Sequence, residues 1–247
     1  MSGHSKWATI KRKKALIDAK RGSAFTKVIR ELTVAARIGG ADPGGNPRLR
    51  VAIDKAKAAS MPSDNMNRAI ARGAGTLDGV NYEEMTYEGY GPSGVAMVIE
   101  SVTDNKDRTT GEIRHLLSKY GGNLGVSGAV SWNFERKGLI TAARGKLTEN
   151  GATELALEIG ADDVHVGDEH LEFITQPADF EAAQSALKAK KIAIEEAKLA
   201  LIPKNRVAIS GDKAESHLKL LDALDENDDI QNVFDNADVD EDSLPKS

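Results

Sequence analysis

Residues 139–201 show an alternation of patterns that few folds accommodate. The segment predicts six elements in the order strand, helix, strand, strand, helix, strand, at 139–142, 147–159, 163–167, 170–175, 177–190 and 193–201. Gly167-Asp168 is typical of the turn in the central hairpin. This order is the split β-α-β unit of ferredoxin-like folds, so we expect one such α/β domain over residues 137–202.

The segments on either side predict a second domain that is divided in sequence. Its expected elements are an apolar strand at 95–102, a helix from Ile113 to Tyr120 ended by Gly121–Gly122, a half-buried strand through Val130, Trp132 and Phe134, a strand at 206–210, a helix through Leu218, Leu221 and Leu224, and a strand at 230–234. Together they complete a second unit of the same order. We therefore expect a ferredoxin-like domain made of residues 78–136 and 203–238, with residues 137–202 inserted in it.

Three short helices are predicted before residue 77. Apolar residues recur at helical spacing from Phe25 to Leu32. Asn46 followed by Pro47 is typical of the start of a second helix. Ser63 is the expected cap of a third helix, which Gly73 ends.

The predicted fold class is therefore α+β. A basic three-helix domain with an N-terminal arm (1–77) precedes two ferredoxin-like α/β domains, one inserted in the other, and residues 239–247 form an acidic tail. Residues 73–80 are the expected hinge.

The charge is distributed very unevenly along the chain. Residues 1–77 hold 16 Lys and Arg against 5 Asp and Glu, whereas the remaining 170 residues hold 17 against 33, for a net charge of −5. A basic excess over a whole domain is typical of proteins that bind nucleic acid. The alternative is a merely solvated basic surface.

The candidate nucleic-acid-binding residues are the cations of the arm, of the helices, and one aromatic side chain. Lys and Arg displace counterions from phosphates, and Trp7 can either stack on an unpaired base or pack the arm onto the helices. Arg68 and Arg72, one helical turn apart, can straddle a backbone or simply be solvated. The full set is Lys6, Trp7, Lys11, Arg12, Lys13, Lys14, Lys20, Arg21, Lys27, Arg30, Arg48, Arg50, Arg68 and Arg72.

Residues 222–247 contain ten acidic residues and one lysine. A solubilising tail is the favoured interpretation. The alternative is that this segment competes with nucleic acid for the basic arm, in which case deleting 235–247 should tighten binding at low salt.

Other classes of function find little support in the sequence. Cysteine is absent, which excludes disulfides and thiolate metal sites. The five histidines are scattered, no nucleophile elbow is present, and the glycines of 121–125 follow a helix, where a helix end is a better interpretation than a phosphate loop. We expect no catalytic residue, metal, cofactor or small-molecule substrate. The polar, basic first 14 residues and the lack of a long apolar run predict a cytoplasmic protein that contacts no membrane.

Several motifs, in order along nearly the whole chain, resemble the YebC/PmpR family. They are Ser2-Gly3-His4-Ser5-Lys6-Trp7-Ala8, Lys11-Arg12-Lys13-Lys14, Asp18-Ala19-Lys20-Arg21-Gly22, Ala36-Arg37, Gly39-Gly40, Asp42-Pro43, Asn46-Pro47-Arg48-Leu49-Arg50, Met61-Pro62, Asp64-Asn65, Arg68-Ala69-Ile70, Gly91-Pro92-Ser93-Gly94-Val95, Thr103-Asp104-Asn105 and Gly121-Gly122-Asn123-Leu124-Gly125. The departures are Thr9, Ser63, Asp107 and Ala129, of which Ser63 and Asp107 weaken local anion contacts.

The resemblance implies a helical first domain, two α/β domains and one of two roles. Bacterial members are regarded as DNA-binding transcriptional regulators. A mitochondrial relative is a translational activator, and bacterial relatives are linked to ribosomes stalled on proline runs. We expect a nucleic-acid-binding regulator of gene expression. Its first interpretation is a DNA-binding transcriptional regulator, and the alternative is a translation factor that binds the ribosome and its RNA. An acidic protein–protein adaptor is a third possibility, which leaves the basic end unexplained.

Overall fold

The structure is a computed structural model and describes residues 21–239. Its first part consists of three helices, α1 (Arg21–Gly39), α2 (Pro47–Ala58) and α3 (Ser63–Gly73). Helices α2 and α3 both pack against α1. Their shared core is small and lined largely by alanine, which lets the helices approach closely, and its fully enclosed members are Leu32, Ala35, Ala36, Leu49, Ala52, Ala56 and Ala69.

Two residues explain how these helices meet. Asn46 caps α2 by accepting a hydrogen bond from the backbone N–H of Leu49, and its amide donates to the carbonyl of Ala35 in α1 at 2.8 Å. A Cβ on Gly73 would lie 2.1 Å from the Thr33 carbonyl oxygen, so only glycine permits this crossing of α3 over α1. The cap of α3 is Pro62, whereas the sequence predicted Ser63; Ser63 is the first helical residue.

The first sheet has the strand order β3-β1-β2-β9, and every neighbouring pair is antiparallel. Two helices cover one of its faces through Met97, Ile99, Ile113, Leu117 and Leu220. The elements are β1 (Glu83–Tyr90), β2 (Ala96–Thr103), α4 (Lys106–Lys119), β3 (Asn123–Leu124), α7 (Gly211–Asp225) and β9 (Ile230–Asp235).

All the strands of the second sheet lie between β3 and α7 in the sequence. Its order is β5-β6-β4-β7, again antiparallel, which is the strand order of a ferredoxin-like unit. The elements are β4 (Phe134–Ala143), α5 (Glu149–Glu158), β5 (Asp163–Val166), β6 (His170–Thr175), α6 (Phe180–Ala189) and β7 (Ile194–Pro203). The strands and helices predicted over 139–201 are confirmed, with ends shifted by a few residues.

The first sheet departs from the predicted order of elements. Its central strands, β1 and β2, form a hairpin, and β1 was not foreseen because its first half is polar and exposed. Two short strands, β8 (Val207–Ile209) and β10 (Ala237–Val239), pair in parallel beside it. The fold class α+β, with three helices followed by two helix-covered sheets, is confirmed. The bounds of the three domains stay a prediction.

The two sheets pack against each other through a core of Ala96, Val98, Leu139, Ile174 and Phe234. This contact fixes the orientation of the second sheet on the first. In residues 21–239, no helix is both long enough and apolar enough to span a lipid bilayer.

The half-buried strand predicted through Val130, Trp132 and Phe134 is wrong. Residues Ser131–Asn133 form a short 3-10 turn, and Phe134 begins β4. Val130 and Phe134 are buried, but Trp132 is exposed. The predicted helix end at Gly121–Gly122 is confirmed, because Gly121 has a φ of 82° and Gly122 donates to the Leu117 carbonyl.

Candidate nucleic-acid interface

The predicted binding residues separate into three groups in the structure. The first group lies at the N-terminus: Lys6, Trp7, Lys11, Arg12, Lys13, Lys14 and Lys20 fall outside the described residues. Arg21 is in the first turn of α1, but its side chain is not described. The other six residues belong to the three helices and have defined surroundings.

Arg30 of α1 is inserted into the junction between the helices and the first sheet. Its Nη1 atom forms an ion pair with Oδ1 of Asp229 and donates to the Val102 carbonyl at 3.0 Å. The guanidinium also lies 5.3 Å from the centre of the Tyr82 ring. Arg30 therefore joins α1 to the end of β2 and to the loop before β9.

Asp229 is the centre of a polar cluster at this junction. Besides Arg30, its carboxylate accepts hydrogen bonds from Arg108 at 2.7 Å, Thr103 at 3.2 Å and Thr109. Burial alone would raise its pKa, but the hydrogen bonds from Thr109, Arg108 and Arg30 outweigh that effect and lower the pKa to about 2. The carboxylate is thus held in its charged form.

Lys27 and Arg48 are also paired with acidic residues. The Lys27 ammonium donates to the backbone carbonyl of Asp225 at 2.6 Å and lies 3.4 Å from its carboxylate. Arg48 binds Glu31 of α1 with two hydrogen bonds of 2.7 and 2.9 Å, and it reaches Glu84 of β1 at 2.7 Å. Hydrogen bonding to Glu31 is the main cause of the raised pKa of Arg48.

Three of the predicted binding residues are therefore engaged inside the protein, although most basic residues of the helices are exposed. Lys27 and Arg30 are largely enclosed, and Arg48 is held between two carboxylates. Their partners are Glu31 of α1, Glu84 of β1, and Asp225 and Asp229, which the fold brings from the far end of the chain. We leave these three residues out of the candidate interface.

Three predicted residues keep exposed cationic groups. Arg50 of α2 donates to the carbonyls of Pro43 and Gly44 but remains exposed. Arg68 and Arg72 of α3 are exposed and lie on the same side of the helix, and their side chains make no hydrogen bond or ion pair within residues 21–239.

Two further cations on α2 were not selected from the sequence. Lys55 and Lys57 are exposed, and their side chains have no hydrogen-bond or ion-pair partner within residues 21–239. Their position could have been found from the sequence, because they flank Ala56 of the apolar stripe, which is buried. The exposed cations of α2 and α3 together form the helical surface, which consists of Arg50, Lys55, Lys57, Arg68 and Arg72.

Sequence reasoning also missed the acids that bind the helices. The interpretation of residues 222–247 as a solubilising tail is wrong for 222–239, which form the end of α7, β9 and β10. Asp229 in this stretch is buried, and Asp225 pairs with Lys27. The high density of acids in this stretch hid Asp225 and Asp229, which bind cations of the helices.

Comparison with protein-family models gives two matches that together span most of the chain. Residues 5–76 match the model described as the TACO1/YebC protein N-terminal domain. Residues 82–237 match the model described as the TACO1/YebC second and third domain. The gap between them, residues 77–81, overlaps the predicted hinge.

Full-length relatives and a solved structure agree with these matches. A protein of Chloroherpeton thalassium named "Probable transcriptional regulatory protein" is 53% identical over 247 residues, covering 100% of this chain and 99% of its own length. A protein of Geobacter sulfurreducens with the same description is 52% identical over 246 residues, covering 100% and 99%. The crystal structure of a conserved hypothetical protein from Aquifex aeolicus superposes with a TM-score of 0.82 at 45% identity, covering 93% of this chain and 95% of that one.

Proposed function

The chain belongs to the TACO1/YebC family, and on that premise we propose that it is a nucleic-acid-binding regulator of gene expression whose first target is DNA. The relatives named as probable transcriptional regulators support this assignment. The contact surface consists of the N-terminal arm together with the helical surface.

The proposal rests on a difference between the cations of the three helices, some of which are paired with acids while others are exposed and unpaired within residues 21–239. Those that face the acidic body are paired with it, as in the contact between Arg30 and Asp229. Arg68 and Arg72 on α3, in contrast, stay exposed and unpaired within residues 21–239. Unpaired cations on a rigid helix can displace the counterions of a phosphate backbone without first breaking an internal ion pair.

Ribosomal RNA is the second candidate target, and the distribution of the exposed cations favours it. A sequence-specific DNA reader concentrates its contacts on one recognition helix in the major groove. Here the exposed cations belong to both α2 and α3, and Arg50 is oriented toward the turn before α2. This arrangement fits contact with a folded backbone better than the reading of base edges.

A single comparison separates the two targets. The native protein is sedimented through a sucrose cushion with ribosomes and is tested in parallel for a gel shift with promoter DNA, both at the same salt concentration. Specific promoter binding without ribosome retention assigns the protein to transcription. Retention on ribosomes without promoter specificity assigns it to translation.

The basic arm supplies the matched variant for both assays. Replacing Lys11, Arg12, Lys13 and Lys14 with Glu should abolish binding to DNA and to ribosomes, because phosphates repel the new carboxylates. The circular dichroism spectrum should stay that of the native protein, since the three-helix core is built from residues 25–70. Unchanged binding at 150 mM salt by a folded variant would exclude the arm from the interface.

A further inference from the structure

The loop between β3 and β4, residues 125–133, exposes two large apolar side chains, and we call it the Trp132 loop. Trp132 is 65% exposed and Val126 is 79% exposed. Tryptophan is enriched at contact surfaces, so an exposed tryptophan on an ordered loop is a candidate contact site. The proposed function does not use this loop.

The loop is held in place by a buried carboxylate. Glu88 of β1 accepts hydrogen bonds from the backbone N–H groups of Gly128, Val130 and Ser131, at 2.7 to 2.8 Å. Burial alone would raise the pKa of Glu88, but these hydrogen bonds outweigh it and the pKa is lowered. A charged acceptor therefore fixes the backbone that carries Trp132.

The indole itself is also fixed. Trp132 Nε1 donates to the Ala129 carbonyl at 3.0 Å, and the Tyr90 hydroxyl donates to the same oxygen at 3.1 Å. The only hydrogen-bond donor of the indole is thus used inside the loop. What remains for a partner is a flat aromatic face with no polar requirement, which suits stacking.

Two basic residues lie in the segment that is hydrogen-bonded to Asn133 of the loop, although the body as a whole is acidic. Asn133 accepts from the backbone N–H groups of Lys204 and Asn205 and donates to the Asn205 carbonyl, so residues 204–206 lie beside the loop. Arg206 is exposed and makes no hydrogen bond or ion pair within residues 21–239. Lys204 is exposed and shares one ion pair, with Glu135 at 3.1 Å.

We propose that the Trp132 loop is a second nucleic-acid contact, in which the indole stacks on an unpaired base and Arg206 and Lys204 contact the adjoining phosphates. The inference rests on the proposed function, to which it adds the preference for a single-stranded segment. An aromatic face with adjoining cations is the combination that single-strand binders use. The loop need not rearrange, because Glu88 and Ala129 already hold it.

The test uses the natural fluorescence of the indole. The chain has two tryptophans, so the variant Trp7→Phe leaves Trp132 as the sole tryptophan, whose emission is separable from that of tyrosine. The full-length variant is titrated with a 12-nucleotide oligothymidylate and, separately, with a 12-base-pair duplex at 50 mM salt. The single strand should quench the Trp132 emission, and the duplex should bind without quenching.

Affinity measurements with three substitutions complete the test. Trp132→Ala should weaken binding of the single strand by about 5- to 100-fold, the range for one stacked aromatic, and leave duplex binding unchanged. Trp132→Phe should recover part of the loss, because it keeps an aromatic face. Leu157→Ala, which removes an exposed apolar side chain from α5, is the control and should have no effect.

Each failure has a different meaning. Oligothymidylate binding with unchanged Trp132 emission, and equal affinities for Trp132→Ala and the native protein, would overturn this inference and leave the helical surface in place. No binding of either probe would overturn the proposed function as well. Emission that shifts to the blue with protein concentration alone would assign the loop to contact between copies of the chain and also overturn the inference.

Discussion

Arg30 of α1 and Asp229, which directly precedes β9, form an ion pair across the junction between the helices and the body. The two side chains are only 11% and 4% exposed. Each is a charged group that the fold has removed from water, so each depends on the other for compensation. The junction is therefore sensitive to any change that removes one partner alone.

Asp229→Asn should lower the free energy of unfolding by about 3 kcal/mol, because the substitution leaves the Arg30 charge enclosed without its counterion. Urea unfolding followed by circular dichroism measures the change. Asp228→Asn is the control, because this neighbouring side chain is exposed, and it should stay within about 0.5 kcal/mol of the native protein. Equal stability of the two variants would contradict the role given to the junction.

The free energy of unfolding should depend on pH because the Asp229 carboxylate titrates at different pH values in the folded and unfolded chains. The pKa of Asp229 is lowered in the folded protein from 3.8 to about 2, so protonation favours the unfolded chain. Its contribution, about 2 kcal/mol, should be complete above pH 4 and disappear as the pH falls toward 2. The difference in unfolding free energy between the native protein and Asp229→Asn, measured between pH 7 and 2, should shrink over this interval. A difference that does not change with pH would contradict the lowered pKa of Asp229.

Arg68→Gln combined with Arg72→Gln should weaken duplex DNA binding and reduce the slope of log affinity against log salt by about 2, because two phosphate contacts are lost. Fluorescence anisotropy at several salt concentrations gives the slope. Arg114→Gln combined with Lys213→Gln makes the same change of charge on the body, at exposed positions of α4 and α7. If the control pair reduces the slope equally, the effect is one of net charge and not of the helical surface.

Two glycine substitutions should have opposite effects. Gly73→Ala should destabilise the protein by about 2 kcal/mol or more, since its Cβ would overlap the Thr33 carbonyl in the neighbouring helix. Gly111→Ala, inside α4 and without any atom within 4 Å of the new Cβ, should stabilise it by about 1 kcal/mol. Thermal unfolding of both variants checks the signs. A stabilising Gly73→Ala would show that α1 and α3 have room to separate.

The acidic end of the chain can be tested without disturbing the fold. Residues 235–239 belong to β9, to β10 and to the contact of Asn236 with Ala96, so the deletion should start at residue 240 and not at 235. If the end competes with nucleic acid for the basic arm, its removal should tighten DNA binding at 50 mM salt and have little effect at 300 mM. Equal affinities at 50 mM would leave only a solubilising role.

Local patterns predicted the elements whose causes are local. Asn46 and Pro47 mark the start of α2, and the hairpin of β5 and β6 turns where Gly167-Asp168 indicated. The alternation through Trp132 led to the wrong prediction of a strand. The loop is shaped by Glu88, more than 40 residues earlier in the chain, and no local pattern indicates that contact.

The candidate site was predicted less completely than the fold, for the same reason. A count of charges finds a basic domain, but it does not show which cations are paired within the molecule. Arg30 appeared available for phosphate because its partner, Asp229, is 199 residues further along the chain. Arg68 and Arg72 are exposed, and no acid among residues 21–239 is paired with them.

The insertion of one sheet within another also sets an order of events during synthesis. All four strands of the second sheet precede residue 204 and are therefore synthesised first. The first sheet is complete only when β9 has been made, because Phe234 of β9 pairs with Val98 of β2, more than 130 residues earlier. Asp229 is made just before that strand. A nascent chain therefore carries Arg30 and Lys27 without their partners until residues 225–229 have been made, and its helices are more cationic at that stage than in the folded protein.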